Sequence, residues 1–510
     1  MRPSIVFVGF MGAGKSTALA AARGAGMPTT EIDELMEASF GCTIPQAFER
    51  HGEEGFRERE AEVVGGLLEE ADDGGAIALG GGSVLSPRIR EALARHTVVW
   101  LQVDADEAWR RISHSDRPLA RSAESVGDLL ATRLPLYEEL ADAVVPMGDR
   151  QIVARALPTI RQLADLPAGT RMLWASAPGG DYPVLVGRGL LGCGWWPLEG
   201  RRFLVSDRSV APLFEDRLEP LAGRAEIEAG ETAKTLANTE KVLRELAREG
   251  MTREDHVAAL GGGVVGDLAG LVAHLYQRGV PVVQVPTTLV AQVDSSYGGK
   301  VGVDLPEGKN YAGAFQQPAA VIVDTTVLES LSHEELAAGF VEVLKTGLLA
   351  GGALWERVRS LGEIVPAELD EVVFACARYK CAIVAADELD TGLRNVLNLG
   401  HTVGHAIESA TGYTAYRHGE AVGLGLLAAL RLSEAEELRA EVKEILARHD
   451  LPTRLEVPTP VADILEALGR DKKRTAAGVG FVLLRTPGEP EIGQLVDPAK
   501  VEAAVKELYE

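Results

Sequence analysis

Cysteine, aromatic side chains and positive charge are all scarce in this chain. Its four cysteines, Cys42, Cys193, Cys376 and Cys381, are spread over 510 residues and form no CxxC pair. That excludes a disulfide framework and a cysteine-rich zinc module, and it points to a reducing compartment. Lys and Arg number 51 against 75 Asp and Glu, a net charge of −24. A surface so acidic excludes nucleic acid or an anionic membrane as partner. Any anionic ligand must instead be met by a local cluster of cations. Long apolar runs are missing too. The N-terminal "SIVFVGF" is cut short by glycines and Lys15, so it reads as a buried strand rather than a signal peptide. The later "AVGLGLLAAL" reaches about half of the roughly 20 residues that a membrane span requires. A soluble, cytoplasmic protein is expected.

What is present is length and order. At 510 residues, one hydrophobic core does not suffice and two or three domains are expected. Residues 1–165 alternate strand-like runs (Ile5–Phe10, Ala76–Leu79, Val98–Val103) with helical stretches, the pattern of a parallel α/β sheet. "RQLADLPAGTRM" then breaks the pattern, which places a linker over 166–174. A second α/β series follows over 175–325, with strands at Phe203–Ser206, His256–Leu260, Val282–Val285 and Ala320–Val323. From 326 to 510 helical patterns such as "LSHEELAAGFVEVLKTGLLA" dominate, with one short strand at "VGFVLLR". The fold class is therefore α/β: a P-loop domain with a parallel sheet, a Rossmann-like α/β domain, and an α-helical domain.

The first candidate site is "GFMGAGKST", Gly9–Thr17, which fits GxxxxGK[ST] between a strand and a helix. Backbone N–H groups of Gly12, Ala13 and Gly14 can turn toward phosphate oxygens, and the following helix adds a favourable dipole. Lys15 would reach the β and γ phosphates, Ser16 would ligate Mg²⁺, and Thr17 completes the ATP-binding turn. Downstream come Asp33 in "TEIDELME", Arg57 in "EGFRERE", the glycines Gly80–Gly82, Arg117 in "SDRPLA" and Arg133 in "TRLPLY". In this order after a phosphate loop, these motifs resemble shikimate kinase. The resemblance implies that Asp33 orients or deprotonates the acceptor hydroxyl, and that Arg57 and Arg133 clamp its carboxylate with Gly81 against the ring. It also implies a lid role for Arg117 and an adenine-side role for Arg110. One departure stands out: Glu31 replaces the first aspartate of the usual Asp-x-Asp.

The second candidate site is "ALGGGVVGDLAG", a strand, a glycine turn and a helix, with Gly263, Val264, Val265, Gly266 and Asp267 at its centre. It is followed by "VPTTLVAQVDSSYGGKVGVD" and "GKNYAGAF", and preceded by "EAGETAKTL". In the helical part, Glu342 and Lys345 stand three apart and His401 and His405 four apart, with His418 beyond. A glutamate with two histidines suits catalytic zinc, and spacing alone leaves open which two. Residues 175–510 resemble 3-dehydroquinate synthase through GGGVVGD, PTTLVAQVDSS, GKN, EVLK, RNVLNLGHTVGH and HGEA. The resemblance implies NAD as a recycled cofactor, and Zn²⁺ or Co²⁺ on Glu342, His401 and His418 with His405 facing the substrate. It places Asp207, Glu231, Lys234, Gly263–Asp267, Thr287, Thr288, Lys300 and Lys309 on NAD. It gathers Asp294, Lys300, Asn310, Lys345, Lys380, Arg394, Asn398, and Lys472 or Lys473 around a sugar-acid phosphate, with Arg278 supplied by the partner of a homodimer.

Two reactions are thus expected: phosphorylation of shikimate, and cyclisation of a seven-carbon heptulosonate phosphate to 3-dehydroquinate with loss of phosphate. In the second, transient oxidation acidifies the neighbouring proton so that phosphate can leave. Four alternatives share parts of the pattern: another sugar-phosphate cyclase, a metal-dependent polyol dehydrogenase, a kinase-like part reduced to a binding module, and a related small-molecule kinase such as a gluconate kinase, which needs no paired carboxylate-binding arginines. The first two lack a reason for Lys380, Arg394 and Asn398 or for the phosphate cluster. The third leaves Lys15, Asp33, Arg57 and Arg133 unexplained.

Overall fold

In the computed structural model, residues 3–71, 74–114, 122–469 and 479–510 are described. Arg117, Lys472 and Lys473 lie outside them. The chain forms two compact units, Met1–Ala175 with Pro183–Leu185, and Ser176–Tyr182 with Val186–Glu510.

The first unit is built on parallel strands in the order Thr29–Glu31, Ala76–Ala78, Ile5–Val8, Thr97–Gln102, Ala143–Pro146. Ile5 lies opposite both Ala76 and Thr97, so Ile5–Val8 is central and wholly buried. This is why it reads as a continuous apolar run rather than an alternating one. It ends in the loop carrying Gly12 and Gly14, whose φ values of 80° and 89° suit glycine, and that loop feeds helix Lys15–Gly24. Helix Ile44–Glu70 starts on a Thr43–Gln46 capping box and breaks at Gly52, with φ 70° and ψ 176°. The break re-aims the segment that carries Arg57. The linker expected over 166–174 is shorter than that. Arg171–Ala177 is a strand, with Met172 and Leu173 beside Ala143 and Val144, because MLWA is apolar enough to extend this sheet.

The second unit has parallel strands in the order Ala320–Asp324, Val282–Pro286, His256–Gly261, Arg202–Asp207, Gly223–Ile227. Val257, Val282, Phe203 and Val205 form a core with Val242, Leu268 and Val272 of the covering helices. An antiparallel pair, Lys300–Leu305 with Gly308–Phe315, was hidden in the sequence by its glycines and lysines, yet Val301 and Val303 join that same core. The expected C-terminal strand, Gly480–Leu484, pairs with a second one, Pro490–Leu495.

The helical part keeps its glycines where helices touch. A Cβ on Gly419 would collide with Ala338 O, and one on Gly425 with Gly400 O. Helix His418–Leu432 therefore sits in backbone contact with helix His333–Ala350 and with the start of helix His401–Ala410. Among the described residues, no helix is long and apolar enough to cross a membrane.

His256 makes the stability of this unit pH-dependent. Its Nε2 accepts from Trp196 Nε1 at 2.8 Å, and burial, assisted by the Arg202 guanidinium, pushes it down from 6.5 to about 4. Between those values the unfolded chain binds the proton and the folded one does not, so stability falls as pH drops from 6.5 toward 4. His256→Gln should flatten the slope of the urea midpoint in this window. An unchanged slope would mean that His256 titrates alike in both states.

Candidate active sites

A cavity of about 340 Å³ opens beside the phosphate loop of the first unit. Gly12, Gly14, Lys15, Ser16, Thr17, Asp33, Arg57, Gly81 and Arg133 all line it, as the sequence pattern anticipates. Ala13 is buried beneath the loop, its N–H donating to Phe10 O at 3.1 Å. Lys15 Nζ donates to Gly9 O at 2.8 Å and to Phe10 O at 3.0 Å. Ser16 Oγ donates to Glu31 Oε1 at 2.6 Å, so the longer carboxylate reaches the hydroxyl directly.

The two clamp arginines are fixed differently. Arg57 Nη1 donates to Glu60 Oε2 at 2.6 Å while its guanidinium lies over Phe48 and Phe56. Arg133 is 2 % exposed, donates to Gly81 O at 3.0 Å and rests on Phe10. Burial, with the Arg57 charge adding to it, draws its pKa below the ordinary arginine value. The half-buried Arg57 and the buried Arg133 thus both line one cavity.

Arg110 is not drawn into the cavity lining; it turns outward and pairs with Glu107. Its neighbour Arg111 instead touches the loop, donating to Gly12 O at 3.0 Å and Met147 O at 2.9 Å. Adjacent arginines one helical step apart face different ways, and sequence order alone could not choose between them. Glu60 was also missed, although it stands three residues after Arg57 on one helix face and is 3 % exposed.

In the second unit the glycine turn follows strand His256–Gly261 and opens helix Gly263–Leu275. Added Cβ atoms at Gly262, Gly263 and Gly266 would stand 3.1 Å from Thr288 Cγ2, 3.1 Å from Ser295 Oγ and 2.8 Å from Gln284 Oε1. The glycines thus form a tight cradle beside the unpartnered, buried Thr287 Oγ1, and side chains in their place would close it. Lys234 Nζ pairs with Asp267 Oδ2 at 2.7 Å and lies 3.9 Å from Glu231. Val265 is buried, and Val264 packs against the core. Asp207 Oδ1 accepts from Ser209 and Val210, which fixes the turn after its strand.

Segment Ala291–Ser295 links this cradle to the helical part. Ser295 meets the glycine turn, and the adjacent Asp294 lies between two ammoniums. Lys380 Nζ donates to the Asp294 carboxylate and, at 2.5 Å, to its carbonyl, while Lys345 Nζ stands 3.5 Å away. Burial alone would raise Asp294, but Lys345 and Lys380 outweigh it and hold it at about 2. Lys345, 1 % exposed, also pairs with Glu342 Oε2 at 2.5 Å.

Glu342 is fully buried, with Oε2 on the Lys345 ammonium and Oε1 turned toward two imidazoles. Its Oε1 lies 3.5 Å from His401 Nε2 and 3.4 Å from His418 Nε2. Tetrahedral ligands at about 2.0–2.1 Å from a zinc ion stand roughly 3.3–3.4 Å apart, so both separations from Glu342 Oε1 suit one such ion. His405 joins through ring contacts at 5.2 Å to His401 and 5.8 Å to His418, and ligand atoms of the three imidazoles lie within 4.8 Å of one another. Burial drives His401 well below its ordinary value, with Lys345 adding to the effect. For a metal ligand, that favours the neutral ring.

The remaining cations are held at the edges. Arg394, 3 % exposed, donates to Gly298 O at 3.0 Å and Glu388 O at 2.6 Å. Asn398 Nδ2 donates to Asn395 O at 2.9 Å. Lys300 pairs with Asp390 at 2.5 Å. Lys309 lies 3.2 Å from Glu408 and 3.7 Å from Glu231. Asn310, φ 54°, is exposed within strand Gly308–Phe315, its N–H donating to Asp304 Oδ1 at 2.8 Å. Arg278 lies beyond the far end of helix Gly263–Leu275 and is exposed, so it does not reach the glycine turn of its own chain.

Comparison with known proteins covers both parts of the chain. The family profile for the 3-dehydroquinate synthase N-terminal part matches residues 224–338, and that for its C-terminal part matches 339–474. The 3-dehydroquinate synthase of Symbiobacterium thermophilum is 41% identical over 350 residues, 64% of this chain and 98% of that protein. The chain belongs to the 3-dehydroquinate synthase family. The synthase of Opitutus terrae is 45% identical over 303 residues, covering 57% of this chain and 84% of its own. A solved 2-epi-5-epi-valiolone synthase from Streptomyces hygroscopicus, with NAD⁺ and Zn²⁺ bound, is 25% identical with a TM-score of 0.57 over 66% of this chain and 98% of its own. Ahead of the synthase part, residues 11–162 match the shikimate kinase profile. The chain is a bifunctional shikimate-pathway enzyme, a kinase followed by a lyase.

Proposed function

We propose that the second unit converts 3-deoxy-D-arabino-heptulosonate 7-phosphate to 3-dehydroquinate and phosphate, and that the first phosphorylates shikimate with ATP. The observation that carries the synthase reading is one chain of contacts. Glycine cradle, Ser295 and Asp294, Lys345, and Glu342 with its two imidazoles follow one another without a gap.

NAD⁺ in the glycine cradle would supply a hydride acceptor, and Zn²⁺ or Co²⁺ on Glu342, His401 and His418 would acidify a substrate hydroxyl. The chain's own groups do the rest. Lys345 and Lys380 bring positive charge into a buried space, where each charge-assisted contact to an anion contributes roughly 1.5–3 kcal/mol. Asp294, held ionised between them, accepts from a substrate hydroxyl. Arg394 and Asn398 bind the carboxylate and hydroxyls that distinguish this substrate from those of other cyclases. Lys300, Asn310 and Lys472 or Lys473, with Arg278 of the partner subunit, complete the anion site in a homodimer. Lys309, Glu231, Lys234, Asp207, Thr287 and Thr288 orient the dinucleotide. His405, beside the metal ligands, is placed to move a proton at the reacting carbons.

In the kinase, Ser16 and Glu31 would hold Mg²⁺, and Lys15 the phosphates. Asp33 takes the proton of the attacking hydroxyl, and Arg57 and Arg133 fork onto the acceptor carboxylate.

The test is a chelator experiment on the whole chain. Dialysis against a strong chelator should abolish NAD⁺-dependent phosphate release, and zinc should restore it. Shikimate-dependent ADP formation should then need only added Mg²⁺. Phosphate release that survives complete metal removal would overturn the synthase reading.

A further inference from the structure

Glu408 has no role in the reaction as derived so far, yet it is 3 % exposed and both its oxygens are engaged. Oε2 lies 3.4 Å from His418 Nδ1, and Oε1 lies 3.2 Å from Lys309 Nζ. His418 is thus gripped from both sides, with Nδ1 toward Glu408 and Nε2 toward Glu342. His401 shows the same division, its Nδ1 3.3 Å from Leu399 O and its Nε2 toward Glu342. In each ring an acceptor faces Nδ1; a proton held there would leave the Nε2 lone pair for the metal position. For His401 that acceptor is a neutral carbonyl on a neighbouring turn. For His418 it is a buried carboxylate ten residues away in sequence.

We infer that Glu408 is a positioning residue of the metal site, fixing the tautomer and ring orientation of His418 through Nδ1 and raising its basicity as a ligand. The inference rests on the reading of Glu342, His401 and His418 as the ligand set. Glu408 does not touch the ion; it acts through the imidazole. Its second oxygen ties the same carboxylate to Lys309, which lies 4.6 Å over the Tyr413 ring on the hairpin side. A purely structural ion pair between Glu408 and Lys309 would leave the metal indifferent to Glu408, and that is the alternative to exclude.

The experiment is a Co²⁺ titration of the metal-free full-length protein, followed by its visible absorption, for wild type, Glu408→Gln, Glu408→Asp and His418→Ala. Glutamine keeps the volume but loses the charge, so Co²⁺ affinity should fall about 10- to 100-fold with an altered ligand-field band. Melting of the metal-free Glu408→Gln protein should stay near wild type. Aspartate, one methylene shorter, should show a similar loss and serves as the second variant if glutamine impairs folding. Wild-type affinity and spectrum in both Glu408 variants, with His418→Ala defective, would overturn the inference and leave the ligand set standing. Tight binding with an unchanged spectrum in His418→Ala would instead overturn the ligand set itself.

Discussion

Glu342→Gln is expected to cut phosphate release from the heptulosonate phosphate by at least about a thousandfold while leaving shikimate phosphorylation intact. The substitution is nearly isosteric, so the loss is one of charge. Glu342 Oε1 lies 3.5 Å from His401 Nε2 and 3.4 Å from His418 Nε2, and a neutral amide is a far weaker ligand for Zn²⁺ or Co²⁺ than a carboxylate. Several kcal/mol of polarisation would go with the ion, and each 1.36 kcal/mol is a factor of ten. The same change leaves Lys345, 1 % exposed, with Asp294 as its remaining carboxylate at 3.5 Å. A buried charge losing a partner is costly, so the melting temperature should also fall. Metal content, melting and both activities measured on one preparation separate these effects. Retention of full metal content with full synthase activity would refute the ligand assignment.

The kinase counterpart is Asp33→Asn, expected to reduce kcat for shikimate about 10²- to 10⁴-fold, the usual range for removing a positioned general base. Asp33 lines the cavity with Arg57 and Arg133, and the phosphate loop is untouched by the change. The KM for ATP should therefore stay near wild type while kcat collapses. Equal losses in both would show that Asp33 acts through folding of the loop rather than on the acceptor. Synthase activity of the same protein is the internal control.

The parts of these sites that could be read from the chain are those written contiguously. Gly9–Thr17 declares both its turn and its ligand because neighbouring backbone groups do the binding. The metal set was legible as far as residue type, but choosing His401 and His418 over His405 needed the resemblance. In the structure all three imidazoles gather within 4.8 Å, brought together by the turn at Gly400 and the close approach at Gly419 and Gly425. Positions set by side-chain direction were not legible. Arg111 rather than Arg110 meets the phosphate loop, and nothing in "WRR" says so. Glu408 lay in plain view in "HTVGHAIES", yet its value depends on a ring brought up by another helix. The Lys300–Phe315 hairpin was obscured because its strand character rests on few apolar residues, Val301 and Val303 among them, inside a polar stretch.

Lys15 carries one more implication. Its ammonium already closes a small ring with the carbonyls of Gly9 and Phe10, so the bend of the loop is held by the enzyme's own cation. An arriving nucleotide competes with those two oxygens for a charge that is in place beforehand. Selectivity at this step is then a contest between a phosphate and a pair of amide dipoles, which a phosphate wins by its formal charge and an uncharged mimic of the same shape does not.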